Sequence, residues 1–182
     1  MKIYYTHNFT GGREESHKLL ERVVGSIDGL RTGLAGKPYL PNGPEFSISH
    51  SANTWAVIKG EEACGLDVQY VRDCDEMKLA ERWFHSDEVA YLKACSDLVG
   101  EFFRIWTRRE ALVKALGNSI VTSSLPSTLA DEIEYEAGIW QIRDVEIPGL
   151  NAGKVCEERP AYAAVCAKRI DKLEFISMDE LK

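Results

Sequence analysis

The apolar residues of the chain follow different periods in successive stretches, and each period predicts a type of secondary structure. A spacing of three to four residues predicts helices, whereas alternation of apolar and polar residues predicts strands. The predicted helices are Glu14–Val24, Glu76–Phe84, a segment that Ser86 can cap, and Glu101–Leu116, which Gly117 ends. The predicted strands are Lys2–Thr6, Phe46–Ser51, Thr54–Lys59, Cys64–Gln69, Glu132–Glu136, Ile139–Val145, Ala161–Ala167 and Leu173–Ile176.

Helices and strands occur in separate runs along the chain. Such segregation is typical of an α+β fold, in which most strands pair antiparallel. The block of strands gives way to the block of helices near Tyr70–Asp75. We therefore expect an N-terminal α+β subdomain over residues 1–71 and a C-terminal α+β subdomain over residues 72–182.

Composition excludes several classes of function. The 182 residues include 22 Lys and Arg against 29 Asp and Glu, so the net charge is −7, which is unfavourable for nucleic-acid binding. No apolar run approaches the roughly 20 residues of a membrane span, and we expect no signal peptide because polar residues follow the short first apolar run. The five cysteines are odd in number and widely spaced, which argues against a disulfide framework or zinc site and favours a cytoplasmic protein.

The helix predicted over Glu101–Leu116 carries an unusual carboxylate. At 100° per residue, Glu110 falls inside the apolar arc and Lys114 lies at its edge, whereas Arg104 and Arg108 point towards water. A carboxylate that faces the interior is unfavourable unless it is paired or bound to a metal. Glu110 is therefore either one half of a simple pair with Lys114, four residues on, or part of a functional site.

Two strands carry further polar residues that have both a structural and a functional interpretation. Asp67 and Gln69 are two residues apart and project from the same strand face, where Asp67 is either a turn former or a ligand. In the strand Phe46–Ser51, Phe46, Ile48 and His50 share one face and the serines share the other. His50 is then either a core histidine or a residue at the edge of a cleft.

Five segments in a fixed order make a more specific pattern than any one residue. The segments are Gly36–Pro41 (GKPYLP), Phe46–Ser51 (FSISHS), Gly65–Gln69 (GLDVQ), Arg82–Glu88 (RWFHSDE) and Trp106–Lys114 (WTRREALVK). The first is not a P-loop, because Pro38 stands where Ser or Thr is required. Together, the segments resemble the 4′-phosphopantetheinyl transferase superfamily in its long, pseudo-dimeric type, over about Gly36 to Gly117.

The resemblance implies a fold and an activity. It implies two similar α+β subdomains related by a pseudo-twofold axis, with the active site in the cleft between them and a monomer sufficient for function. Such enzymes transfer 4′-phosphopantetheine from coenzyme A to a serine of an apo acyl or peptidyl carrier protein, with Mg²⁺, and release adenosine 3′,5′-bisphosphate. Their carriers serve fatty acid, polyketide or nonribosomal peptide biosynthesis.

The resemblance also implies roles for individual residues. Asp67 and Glu110 correspond to the metal-binding carboxylates, and Gln69 stands where many members carry a third acidic ligand. Glu88 corresponds to an acidic residue that contacts the metal or a water, although it also suits the positive end of a helix dipole. Glu110 is further expected to accept the proton of the carrier serine.

Basic residues are expected to hold coenzyme A. Lys114 corresponds to the lysine that neutralises the pyrophosphate, and we count it among both the catalytic and the coenzyme-binding residues. His50, Lys37 and, by a weaker alignment, Lys18 correspond to coenzyme A phosphate contacts. Arg104 and Arg108, if they face water, are candidates for docking the acidic carrier.

Two other interpretations of the sequence remain open. Gln69 and a short N-terminal region are compatible with a degenerate family member that binds coenzyme A or a carrier protein without turnover. The motifs are also compatible with a structural α+β protein in which they occur by coincidence.

Overall fold

A computed structural model describes residues 1–33, 35–117, 124–136, 138–151 and 159–181. The helices in this part of the chain are α1 (Arg13–Val24), α2 (Glu76–Trp83), α3 (Ser86–Ala94) and α4 (Leu98–Leu116). The strands are β1 (Lys2–Thr6), β2 (Arg31–Thr32), β3 (Pro38–Tyr39), β4 (Glu45–Ser51), β5 (Thr54–Gly60), β6 (Cys64–Tyr70), β7 (Glu132–Tyr135), β8 (Gly138–Asp144), β9 (Ala161–Ala167) and β10 (Glu174–Ser177).

The strands form two four-stranded sheets and one short hairpin. The first sheet has the order β10-β1-β5-β4, and the second has the order β6-β9-β8-β7. Neighbours pair antiparallel except for β1 and β10, which are parallel. The α+β class is therefore confirmed. The division into residues 1–71 and 72–182 stays a prediction, since each sheet takes one strand from across that boundary.

The two sheets meet where their edge strands β4 and β6 lie side by side. Alternate serine side chains of β4 accept hydrogen bonds from alternate backbone amides of β6, because the serines share the strand face that the alternation predicted. The apolar side chains on the opposite face of β4, Phe46 and Ile48, pack into the core under α1. The amide–hydroxyl pairs are Leu66 with Ser47 at 3.2 Å, Val68 with Ser49 at 3.1 Å and Tyr70 with Ser51 at 3.0 Å.

Helix α4 packs directly onto β6, and Gly65 makes this close approach possible. A Cβ atom at residue 65 would overlap the backbone of α4 at Ala111 and Ala115. Glycine has no side chain, so strand and helix approach to backbone contact. Leu112 and Cys166 lie in the core that α4 shares with the second sheet.

The outward orientation predicted for Arg108 is wrong, whereas Arg104 is partly exposed. The Arg108 side chain is only 2% exposed, and it donates to the carbonyl oxygens of Thr128 and Ala130, both at 2.7 Å. Arg104 is 23% exposed and pairs with Glu101 at 2.7 Å. The helical arc indicated one buried face, but the segment after α4 and the end of β8 cover the other face as well. Arg108 is therefore unavailable for docking a carrier.

Helix ends differ slightly from the predictions. The residue that caps α3 is His85 rather than Ser86, and its ring accepts the backbone N–H of Asp87. Helix α4 begins at Leu98, three residues earlier than predicted, because Asp97 caps it through the N–H of Gly100. Gly117 ends α4 in a left-handed conformation, as predicted.

Four of the five cysteines lie within the described residues. Cys64 and Cys166 are buried, Cys74 and Cys95 are half-buried, and these four form no disulfide. Cys156 lies outside the described residues. Within the ranges given above, no helix is long and apolar enough to cross a bilayer.

Candidate active site

Asp67 lies in β6 with its carboxylate almost completely buried. Its side chain is 2% exposed, and its Oδ1 accepts hydrogen bonds from Lys114 Nζ at 2.7 Å and Ser49 Oγ at 2.9 Å. Its Oδ2 accepts a longer bond of 3.3 Å from Gln69 Nε2. Asp67 is thus held firmly through one oxygen, whereas the other has only a partly buried amide as its described partner.

Glu110 approaches Asp67 from helix α4. It lies one turn before Lys114 and is half-buried. Burial raises the pKa of Glu110, and the negative charge of Asp67 raises it further. The structure therefore brings two carboxylates, 43 residues apart by their numbers (110 − 67), close enough to repel each other.

Lys114 contacts β6. Its Nζ donates to the Leu66 carbonyl oxygen at 3.1 Å as well as to Asp67. The contacts described for Lys114 are therefore with β6, and they differ from the simple surface pair with Glu110 that the helical spacing allowed. One ammonium group here joins α4 to the strand that carries Asp67.

Asp67, Glu110 and Gln69 offer a set of oxygen atoms that suits Mg²⁺. No cluster of three or more His, Cys, Asp or Glu side chains of metal-binding geometry occurs among the described residues. Mg²⁺ needs fewer protein ligands, since it commonly takes one or two carboxylates and completes its octahedron with phosphate oxygens and waters. The repulsion between Asp67 and Glu110 is the feature that a divalent cation would relieve. Rotation of the Gln69 amide would present a third oxygen.

Glu88 belongs to a separate buried cluster. Its carboxylate is fully buried, and each oxygen has two protein donors. Oε1 accepts from the N–H and hydroxyl of Thr128 at 2.6 and 2.7 Å, and Oε2 accepts from Arg109 at 2.6 Å and the His85 N–H at 2.9 Å. These contacts join α3, α4 and the segment after α4. The metal contact expected for Glu88 stays a prediction that this geometry does not support.

The three side chains expected to bind coenzyme A phosphates have separate surroundings. Lys37 donates to the Cys64 carbonyl oxygen at 3.1 Å, and burial lowers the pKa of its ammonium group. His50 is exposed near the end of β4, with its ring centroid 5.4 Å from that of Phe9. Lys18 is on the exposed side of α1 and pairs with Glu14 at 2.7 Å. The structure does not gather these three groups into one contact cluster.

A cavity of about 530 Å³ beside α1 contains basic residues that sequence reasoning missed. Arg13 and His17 are one helical turn apart, and Arg13 Nε lies 3.5 Å from His17 Nε2. Their spacing of four residues indicates that both lie on one face of a helix. Only the fold shows that this face lies opposite the loop around Lys37. The cavity is lined by Arg13, His17, Ile27, Leu30, Gly36 and Pro38, among others.

Comparison with known proteins relates this chain to one family. The sequence model of a family described as the 4′-phosphopantetheinyl transferase superfamily matches residues 63–146. The matched region contains Asp67, Glu88, Glu110 and Lys114, whereas the cavity beside α1 lies outside it.

Curated relatives extend the similarity beyond the matched region. The chain is 35% identical over 147 residues to the 4′-phosphopantetheinyl transferase gsp of Aneurinibacillus migulanus, covering 76% of this chain and 61% of the relative. It is 35% identical over 123 residues to the AcpT transferase of Salmonella typhimurium, covering 62% of this chain and 64% of the relative. It is 29% identical over 165 residues to the psf-1 transferase of Bacillus pumilus, covering 87% and 66%. The chain thus spans somewhat less than two thirds of these relatives' length.

Proposed function

The chain belongs to the 4′-phosphopantetheinyl transferase superfamily, and on that premise we propose that it transfers 4′-phosphopantetheine from coenzyme A to a serine of an apo acyl or peptidyl carrier protein. The reaction forms a bond between the serine oxygen and the β-phosphorus of coenzyme A. It breaks the pyrophosphate linkage and releases adenosine 3′,5′-bisphosphate. The relatives named above are transferases of this class, which supports the assignment.

The observation that carries the proposal is the approach of Asp67 and Glu110 beside Lys114. Transfer of a phosphoryl group depends mainly on positioning and on neutralising negative charge, so a protein needs anchored charged groups rather than a covalent nucleophile. Asp67 from β6 and Glu110 from α4 provide the acidic groups, and Lys114 provides the basic one. A structural protein has no need for two repelling carboxylates at the junction of its sheets.

Each of these residues has a role in the proposed reaction. Asp67 and Glu110, with Gln69, would hold Mg²⁺, which would supply positive charge to the pyrophosphate oxygens. Lys114 donates hydrogen bonds to the leaving phosphate while it holds Asp67. Glu110, which projects from α4 near Asp67, accepts the proton of the carrier serine.

In this proposal, the adenosine end of coenzyme A binds in the cavity beside α1. Arg13 and His17 offer hydrogen-bond donors to a phosphate, and Ile27 and Leu30 offer an apolar wall to the adenine ring. Lys37 lies in sequence between two lining residues, Gly36 and Pro38, and its ammonium group is bonded to the Cys64 carbonyl oxygen. We propose that Arg13 and His17 act with Lys37 and His50 in phosphate binding, while Lys18 stays an outer contact.

The finer architecture belongs to this proposal as well. We propose that the chain forms two similar subdomains related by a pseudo-twofold axis, divided near residues 71 and 72 except for the strands β6 and β10 that pair across this boundary. Each subdomain then has a four-stranded sheet, with α1 packed against the first and α4 against the second. The reaction site then lies at the β4–β6 junction between them. A monomer is sufficient for such a site, and the cytoplasmic location stays a prediction.

The test is a transfer assay with a direct mass measurement. The protein is incubated with coenzyme A, Mg²⁺ and several apo carrier domains, and each carrier is weighed by mass spectrometry. We expect one phosphopantetheine group on at least one carrier, and none when Mg²⁺ is removed by chelation. Coenzyme A binding without any adduct would favour the degenerate member that binds without turnover, for which the amide of Gln69 in place of a carboxylate is the motivating observation.

A further inference from the structure

The strand junction contains one serine that differs from its two neighbours. The hydroxyl groups of Ser47, Ser49 and Ser51 each accept a hydrogen bond from a backbone N–H of β6. The Ser49 Oγ atom also lies 2.9 Å from Asp67 Oδ1. Ser49 is 4% exposed, so water does not compete strongly for its hydroxyl. Among the contacts described for the three serines, only this one reaches a carboxylate.

The proton of the Ser49 hydroxyl has one available direction. A serine hydroxyl has a single donor hydrogen and two acceptor lone pairs. The Val68 N–H is a donor and occupies a lone pair of the Ser49 oxygen at 3.1 Å. The hydroxyl hydrogen is thereby directed to Asp67 Oδ1, so this bond is a charge-assisted donation to a carboxylate.

Ser49 and Lys114 act on the same oxygen of Asp67. Both donate to Oδ1, at 2.9 and 2.7 Å, and they approach it from different parts of the chain, since Ser49 is on β4 and Lys114 is on α4. Oδ2 is left to the longer contact with Gln69 Nε2 at 3.3 Å. Two donors on one oxygen fix the rotation of the carboxylate and leave the other oxygen for a ligand.

We infer that Ser49 is a positioning residue that orients Asp67 for divalent cation binding, an inference that rests on the function proposed above. It links the two sheets mechanically to the site, because a shift of β4 along β6 would break the amide–hydroxyl bond and the Asp67 contact together. Groups that orient a metal ligand typically contribute about 10- to 100-fold to metal affinity or activity.

The chain contains matched controls for this inference. Ser49→Ala removes both the acceptor for Val68 and the donor to Asp67. Ser47→Ala and Ser51→Ala each remove an equivalent acceptor, for Leu66 or Tyr70, and leave Asp67 untouched. The difference between these variants therefore isolates the carboxylate contact. Ser49→Thr keeps a hydroxyl and tests rescue.

Electron paramagnetic resonance measures the binding of Mn²⁺ to each variant in the presence of coenzyme A. Thermal unfolding without metal checks that each variant is folded. We expect Ser49→Ala to weaken Mn²⁺ binding about 10-fold or more, Ser47→Ala and Ser51→Ala to stay within about threefold of wild type, and Ser49→Thr to recover part of the loss. The metal concentration that half-saturates turnover should shift in the same order.

Two results would overturn the inference. One is Mn²⁺ affinity in Ser49→Ala that matches Ser47→Ala and Ser51→Ala. The other is a raised KM for coenzyme A in Ser49→Ala with unchanged Mn²⁺ affinity, which would make Ser49 a coenzyme contact instead. Failure of the proposed function is distinguishable, because the wild-type protein would then leave every apo carrier unmodified.

Discussion

Glu110 faces β6 from the buried side of α4, and it lies in the negative field of Asp67. A buried and a half-buried carboxylate at one junction disfavour the charged form of at least one of them. Proteins retain such pairs where a ligand compensates, and sites of this kind often mark function. Glu110 and Asp67 are therefore better explained by what they bind than by what they add to stability.

The first prediction concerns Glu110→Gln. The amide has nearly the same shape but can neither accept the serine proton nor neutralise a divalent cation, so we expect turnover to fall by about 100-fold or more. Transfer to an apo carrier measures this, and circular dichroism checks that the fold is intact. Turnover within a few-fold of wild type would show that Glu110 is neither ligand nor base.

The second prediction concerns Lys37 and pH. Burial lowers the pKa of Lys37 below its ordinary value of 10.5, so the ammonium group loses its proton at lower pH than an exposed lysine. Only the protonated form attracts a phosphate. We expect the KM for coenzyme A to rise with pH from below 10.5, and Lys37→Arg to move that rise to higher pH because arginine stays charged.

The matched control for Lys37 is Lys18→Arg. Lys18 is exposed and pairs with Glu14, so its replacement should leave the pH profile of KM unchanged. A profile that is identical in wild type and Lys37→Arg would remove Lys37 from the coenzyme site.

The contact between strand β6 and helix α4 sets the distance between the acidic residues of the site. Gly65 permits backbone contact, and Asp67 follows two residues later on β6, opposite the turn of α4 that carries Glu110 and Lys114. The GLD sequence therefore has a mechanical explanation. Its glycine brings α4 close, and its aspartate uses that proximity.

The third prediction tests this contact with Gly65→Ala. The added methyl group overlaps the α4 backbone at Ala111 and Ala115, which a rotamer change cannot relieve. We expect a loss of about 3 kcal/mol in the free energy of unfolding. Gly33→Ala is the control, because its added methyl meets only the Lys37 carbonyl at 3.4 Å, and we expect a change of about 0.5 kcal/mol. Chemical denaturation measures both, and equal losses would contradict the proposed close approach.

The Glu88 cluster fixes the arrangement of α3, α4 and the segment after α4. Arg109 donates to Glu88 at 2.6 Å and to the Trp83 carbonyl oxygen at 2.8 Å. The planar guanidinium group reaches both acceptors at once, which a lysine does less well. Since Arg109 precedes Glu110, this cluster also holds the backbone from which Glu110 projects.

Across the whole molecule, each sheet includes one strand from the part of the chain that forms most of the other sheet. Strand β10, near the C-terminus of the sequence, pairs with β1, and Met178 is buried in the core of the first sheet. Strand β6 leaves the N-terminal stretch to pair with β9. Residues 1–71 therefore lack β10 of the first sheet, and they contain β6, whose sheet partner β9 lies in residues 72–182.

The fourth prediction follows from this arrangement. A fragment of residues 1–71 should not fold alone, because β1 loses β10 and β6 loses β9. Circular dichroism and thermal unfolding of the fragment should show no cooperative transition, and adding residues 72–182 should restore structure. Cooperative folding of the isolated fragment would instead support independent subdomains.

Local signals in the sequence predicted most element positions and the α+β class. Period-two stretches, the glycine after α4 and the helical arc depend on neighbouring residues, so the strands β1, β4, β5, β6 and β9 appear within about one residue of their predicted bounds. The candidate residues Asp67 and Glu110 were also identifiable. Each is an acidic group at a position where the local pattern favours an apolar or neutral one.

Other features depend on contacts between distant segments, and no local period reports such contacts. The burial of Arg108 depends on the segment after α4, and the cavity that Arg13 and His17 line depends on a loop that folds back beside α1. The Ser49–Asp67 bond depends on the alignment of two sheets. Periodicity states which face of an element is apolar, but only the packed structure states what covers the other face.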